Sequence, residues 1–314
     1  MNPNKLNLAM KQSVKSLPQH SIPNSNPNFV IALLIIGNLG ESAAISLESL
    51  VRLGATRLCV LSDGAGELWI KKYLEIYKLP QLCLHHPKES DLTALDLKFA
   101  ESNKYSNFGS ESFIKLTAFK WFLIRESMRT HSDADATLFS DLDVFWTRLP
   151  SQVYFENKSS SYLALIQDDS PRHTAEKHFC TGVMYWKNSK ESEKILFELF
   201  ENQKKDIKLG KLVPDEPTFN LWYDKSNRPR GIEPLFKNEV VIGHRFVDLC
   251  MRRNSFDFKD FSAFHANYVV GENRKVLLLR SLLYRINGNY KWLYGLSQFF
   301  RWKLVSKIQN NFRM

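Results

Sequence analysis

The segment Leu138-Phe139-Ser140-Asp141-Leu142-Asp143-Val144-Phe145-Trp146 holds two carboxylates, two positions apart, between apolar flanks. In an extended backbone, side chains two positions apart point to one face. Two carboxylates about 5 Å apart repel by roughly 3 kcal/mol at an effective dielectric near 20. At the semi-buried end of a strand water screens poorly, so a positive charge belongs between them. Hard oxygen ligands favour Mg2+ or Mn2+ over softer metals. Such an ion bridges a diphosphate and neutralises charge that grows on a leaving group. Two solvated aspartates in a loop are the plainer alternative.

A second group lies near the end of the chain: His265-Ala266-Asn267-Tyr268, then Gly271, then Lys275. A histidine closing a short apolar strand is a candidate third metal ligand. A glycine allows close backbone approach to phosphate, and a lysine four residues on brings a positive charge to it. Other acidic residues fall at element ends. Asp63 ends an apolar run before Gly64, where a turn residue also fits. Asp168 and Asp169 follow a strand, as candidate site residues or as an ordinary turn. Asp215 and Glu216 open a helix, where carboxylates suit the first turn in any protein.

The elements that must position these residues alternate along the chain. Phe29–Ile36 is a continuous apolar run, the pattern of a strand buried on both faces. Glu41–Leu53 has helical spacing and stops at Gly54. Arg57–Ser62 reads as a strand, Glu67–Tyr77 as a helix closed by Pro80, and Gln81–His85 as a third strand. Strand–helix–strand–helix–strand predicts an α/β domain on a mostly parallel sheet. Ser110–Arg129 reads as one long helix, its periodicity carried by Phe113, Ile114, Leu116, Phe119, Lys120, Leu123 and Ile124. Ala136–Ser140, Tyr162–Gln167 and Phe179–Trp186 read as strands, Ser189–Lys204 and Pro214–Tyr223 as helices. A short apolar piece ends at His265. The aspartate pair then lies at the carboxyl end of a buried strand, where open α/β sheets bind ligands.

Charge is unevenly placed. The 314-residue chain has a net charge of +10, yet no acidic residue follows Glu272. Nine of the 43 basic residues do, which leaves 34 against 33 acidic ones in residues 1–273. A near-neutral body argues against a nucleic-acid-binding protein, because phosphate contacts need positive charge across the binding face. Residues 1–28 read as a flexible lead-in, 29–272 as the folded body and 273–314 as a basic, aromatic, helical tail. Trp292, Leu296, Phe299, Phe300 and Leu304 share one side of that tail, with Lys303 and Lys307 interrupting it. Aromatic and basic residues together suit an anionic membrane surface; the alternative is a helix docked on the body. The longest apolar run has eight residues, against about 20 for a membrane span. The expected location is cytoplasmic, with the tail a candidate for peripheral attachment at the inner face of the membrane. Cys59, Cys83, Cys180 and Cys250 form no C-x-x-C pair and read as buried thiols.

The sequence resembles nucleotide-diphospho-sugar transferases, in the group that includes plant cell-wall xylosyl- and arabinosyltransferases. Four segments carry the resemblance in order: LFSDLDVFWTRLP (138–150), FCTGVMYW (179–186), DEPTFN (215–220) and HANYVVGENRK (265–275). The resemblance implies a GT-A fold: a Rossmann-like, mostly parallel central sheet with flanking helices. It implies Mn2+ or Mg2+ held by Asp141, Asp143 and His265, with Gly271 and Lys275 on the diphosphate of a nucleotide-sugar donor. Asp63, Lys115, Ser140 and Gly182 become further donor-contact candidates. Glu216, Asp215 and Asp168 become candidates for the reacting sugar, with Glu216 nearest the anomeric carbon. The implied reaction is transfer to a saccharide or lipid-linked acceptor with retention of configuration. Two positions depart from the family pattern: Glu216 stands where glutamine is usual, and Cys180 where asparagine is. A nucleotidyltransferase that makes nucleotide-sugars is a competing reading, but Ile36-Gly37-Asn38-Leu39-Gly40 is a thin match to a phosphate loop. A non-catalytic nucleotide-sugar-binding domain is another.

Overall fold

The computed structural model describes residues 28–36, 39–52, 55, 57–77, 81–97, 110–147, 162–169, 178–235, 240–242, 263–266, 272–286 and 290–311. A seven-stranded sheet forms the centre. Its strands are β1 (Phe29–Ile35), β2 (Arg57–Ser62), β3 (Gln81–His85), β4 (Ala136–Ser140), β6 (Ala164–Asp168), β7 (Phe179–Lys187) and β8 (Ile232–Pro234). The spatial order is β3-β2-β1-β4-β7-β6-β8. β7 alone runs against its neighbours β4 and β6; the remaining pairs are parallel. The α/β architecture with a mixed, mostly parallel sheet and flanking helices is the one the alternating pattern predicted.

Alternation along β1 shows why it reads as continuously apolar. Val30 and Ala32 face one core, while Phe29, Ile31, Leu33 and Ile35 face the other. The first core is filled from α5 (Phe119–Thr130), α6 (Lys190–Lys208) and α7 (Asp215–Lys225). Trp121 stacks on Phe219 at 5.9 Å between centroids and donates its indole N–H to Gln203 at 2.8 Å. The second core is filled mainly from α1 (Glu41–Arg52).

Several elements differ from the sequence reading. The helix predicted over Ser110–Arg129 is two, α4 (Glu111–Thr117) and α5, parted at Ala118. The Thr117 hydroxyl donates to the Ile114 carbonyl at 2.9 Å, a bond that competes with the helix ladder at this joint. Helix α2 (Gly64–Tyr77) starts three residues earlier than predicted, because Asp63 caps it: Oδ1 accepts from Gly66 N at 2.7 Å. A short helix, α3 (Glu89–Ala94), follows β3 where no element was predicted.

The largest departure concerns Asp141 and Asp143. They lie not on a strand but on the turn joining β4 to β5 (Val144–Trp146). β5 leaves the large sheet for a second one, of order β5-β10-β9, with β9 at Val240–Ile242 and β10 at Ala263–His265. Strand alternation therefore does not orient the pair; the change of sheet does. Helices α8 (Glu272–Ile286) and α9 (Trp292–Asn311) cover this sheet, joining Phe145 and Phe264 in a third core through Leu278, Leu279, Leu282, Leu296 and Phe299. Among the described residues, no helix is long and apolar enough to cross a membrane.

Candidate functional site

The carboxyl ends of β2, β4 and β6 and the start of β7 share one edge of the sheet, as their register requires. Asp141 leaves β4 there, its backbone N–H donating to the Gly182 carbonyl at 2.8 Å. Below the turn, the Ser140 hydroxyl accepts from the Trp146 indole at 3.1 Å and is fully buried. The structure thus places Ser140 beneath the aspartate turn as its support, not on its open face.

The antiparallel β5–β10 pair sets His265 opposite Val144, and Ala266 N donates to the Asp143 carbonyl at 2.9 Å. His265 Nε2 then lies 3.1 Å from Asp143 Oδ1. One ligand atom each from Asp141, Asp143 and His265 falls within a 4.8 Å group. These three residues come from positions up to 124 apart in the chain.

Two features hold the histidine in its pose. Its Nδ1 lies 2.8 Å from Gln167 Oε1, so in this orientation the ring donates from Nδ1 and aims the Nε2 lone pair at Asp143. Gly182 supplies room, since a Cβ there would sit 2.1 Å from the imidazole Cε1. An imidazole lone pair and a carboxylate oxygen 3.1 Å apart need a cation, either a proton or a metal, to be stable together.

Lysines flank the aspartates. Lys275, in the first turn of α8, reaches Asp143 Oδ2 at 2.5 Å. Lys120 of α5 lies 3.0 Å from Asp141 Oδ1 and 2.8 Å from Asp215 Oδ2. Asp215 also accepts from the Thr181 hydroxyl at 2.5 Å and sits at the N-terminus of α7, where the helix dipole favours a carboxylate. Burial alone would lower Lys120, but Asp141 and Asp215 hold its ammonium above the ordinary lysine range. Burial would raise Asp143; His265 and Lys275 overcome it and hold the carboxyl well below the usual range. Burial pushes Asp141 up, against the pull of Lys120. Asp141, Asp143 and Asp215 outnumber Lys120 and Lys275 three to two in this cluster. That balance, with two hard oxygens and one imidazole nitrogen converging, fits a divalent cation of the Mn2+ or Mg2+ class.

The remaining candidates divide. Glu216 lies beside Cys180 and Asp215, with His178 Nε2 3.5 Å from its Oε1. Cys180 Sγ is in turn 4.0 Å from His265 Nδ1, so Glu216 borders the Asp141–Asp143–His265 group. Burial and neighbouring Asp215 raise the Glu216 carboxyl. Asp169, not Asp168, joins Glu216 and His178 in one cluster; Asp168 is partly exposed and outside it. Lys115, on α4, also stands apart, paired with Glu111 of the same helix at 2.7 Å and with Asp96, just after α3, at 3.3 Å. Asp63 reaches the same sheet edge but is engaged in capping α2. Gly271 falls outside the described residues.

Sequence reasoning missed Lys120, Gln167, Thr181 and His178 as parts of the site. Lys120 left a signal: it occupies a position in the apolar stripe of the predicted helix, and a lysine there demands a buried countercharge. The other three left none.

Comparison with known proteins identifies the chain. The family described as nucleotide-diphospho-sugar transferase matches residues 79–279, well over half of the sequence. The chain belongs to this family. The transferase is therefore a nucleotide-sugar-dependent glycosyltransferase. Curated proteins give no match to it. Solved structures similar to the transferase include mouse xyloside xylosyltransferase 1 in its apo form (14% identity, 76% of this chain and 98% of that chain, TM-score 0.47). Another is the galactosyltransferase LgtC with donor and acceptor sugar analogues (12%, 80% and 95%, TM-score 0.49). A third is core-mannan synthase A from Aspergillus fumigatus in an Mn/GDP form (9%, 65% and 72%, TM-score 0.43).

Proposed function

We propose that the transferase moves a glycosyl group from a nucleotide-diphospho-sugar to a saccharide or lipid-linked acceptor, with retention, on a GT-A scaffold. The observation that carries this reading is the meeting of Asp141, Asp143 and His265, brought from two sheets to one point beside Lys275. Asp141, Asp143 and His265 would hold Mn2+ or Mg2+. Bound there, the ion would supply Lewis-acid stabilisation of the diphosphate leaving group.

The chain's own residues do the rest. Lys275, on the first turn of α8, offers its ammonium to the diphosphate while remaining within reach of Asp143, and Gly271 just before that helix allows close backbone approach. Lys120, fixed between Asp141 and Asp215, orients both carboxylates toward the donor sugar. Asp215 accepts hydrogen bonds from sugar hydroxyls, and Glu216 borders the anomeric carbon, where negative charge stabilises an oxocarbenium-like transition state. Positioning of donor and acceptor supplies much of the acceleration.

The experiment is donor turnover by the purified full chain, chelated and then supplied with Mn2+ or Mg2+. Asp143→Ala is expected to lower metal-dependent turnover by about a hundredfold or more, since a metal ligand is lost. Full turnover in chelator, or in Asp143→Ala, would overturn the reading.

A further inference from the structure

We propose that Cys59, Cys83 and His85 form a second metal site, for a borderline-soft divalent cation of the Zn2+ class. The site lies at the edge of the large sheet, away from the aspartate turn. β2 and β3 run parallel with Cys59 directly opposite Cys83. His85 follows Cys83 by two residues, so both project from the same face of β3. That face packs against the core under α5, where Cys59 is fully buried and Cys83 packs at the margin.

One ligand atom from each of the three residues falls within a 4.8 Å group. Cys83 Sγ and His85 Nε2 are 3.6 Å apart. Tetrahedral Zn2+ with bonds of about 2.3 Å to sulfur and about 2.0 Å to nitrogen separates those ligands by about 3.5 Å. The spacing thus equals a coordination edge. Two sulfurs and one imidazole nitrogen are a soft donor set, opposite in character to the aspartate turn, so the two sites select different ions. Cys83 and His85 are only half-buried, which leaves a path for the ion and room for water as fourth ligand. No C-x-x-C spacing announces the site, because the cysteines are 24 positions apart and meet only through strand register. A bound ion would fasten edge strand β3 to β2.

The test is Co2+ titration of the full chain after chelation under a phosphine reductant. We expect a thiolate-to-cobalt charge-transfer band equivalent to one site per chain, displaced by Zn2+. Cys83→Ser and His85→Gln should each lose most of it, whereas Asp143→Ala should retain it. Both substituted positions are half-buried, and circular dichroism of each variant verifies folding. No band in the folded wild-type protein would overturn the proposal, as would an undiminished band in Cys83→Ser or His85→Gln. Loss in Asp143→Ala would also overturn it, by assigning the thiolate signal to Cys180 beside His265. The readout needs no sugar transfer, so its failure is distinct from failure of the enzymatic reading.

Discussion

At the scale of single residues, the Asp141–Asp143–His265 group depends on the pose of one imidazole. Gly182 lets the Cε1 edge of His265 approach β7 closely, and Gln167 fixes which nitrogen faces Asp143. Gly182→Ala would put a methyl group into the ring, forcing His265 away from the aspartates. Mn2+ affinity, measured by calorimetry, should fall by about 10- to 100-fold, as for loss of other supports of a metal ligand. Unchanged affinity would show that the histidine is not a ligand.

Glu216 offers a test of electrostatics that is independent of turnover. Its carboxyl is raised in the folded state by burial, then by Asp215. Above the ordinary glutamate value of about 4.3, the unfolded chain releases this proton while the folded chain still holds it. The folded state then binds more protons, so stability falls as pH rises through the window between the unfolded and folded values. Glu216→Gln removes that loss. The variant should melt at a higher temperature than wild type at pH 7 and show no such advantage near pH 4. An equal difference at both pH values would refute the electrostatic cause.

Elements place these residues through a few joints. The change of sheet between β4 and β5 turns Asp141 and Asp143 toward β10, and β10 delivers His265. Helix α8 is held by Glu272, whose carboxylate accepts from both the backbone N–H of Ser42 at 2.8 Å and the Ser42 hydroxyl at 2.6 Å. Glu272 thereby caps α1 from outside, and Gly40 leaves space for it, since a Cβ there would sit 2.2 Å from its Oε1. Glu272→Ala should cost about 1–2 kcal/mol in urea denaturation, the usual cost of losing a charged cap. It should also weaken donor binding, because Lys275 lies one turn further along the same helix. An unchanged urea midpoint would show that the contact contributes nothing.

Across the whole molecule, the basic tail has two sides. Leu296 and Phe299 are buried, and Gly295 allows close contact with Ser281 of α8. Tyr290, Leu293, Tyr294 and Phe300 are exposed, beside exposed Lys291 and Arg301. Phe300 therefore does not share the buried side with Phe299, although the sequence grouped them. We propose that this outer side rests on an anionic membrane surface and so presents the active site to a lipid-linked acceptor. Deleting residues 286–314 should abolish flotation with phosphatidylserine vesicles, and wild-type flotation should weaken as salt rises. Vesicle binding that survives the deletion would disprove the attachment.

The sequence by itself determined the layered architecture, because apolar runs and helical spacing are local consequences of which faces are buried. β2, β3 and β4 have the predicted bounds, and β1 ends one residue sooner. It also determined the identity of the aspartate pair, since two carboxylates between apolar flanks demand a countercharge wherever the chain folds. Tertiary structure decided what faces that pair. Lys120 reads as one more position on a helical stripe until α5 packs against the ends of β4 and α7. Asp168 and Asp169 are indistinguishable in sequence; pairing with β7 and packing against α7 bring Asp169 to Glu216 and leave Asp168 aside. Cys59 and Cys83 become neighbours only through strand register. Periodicity encodes which way a side chain faces along its own element, whereas contacts between elements depend on crossings and register that no local spacing contains.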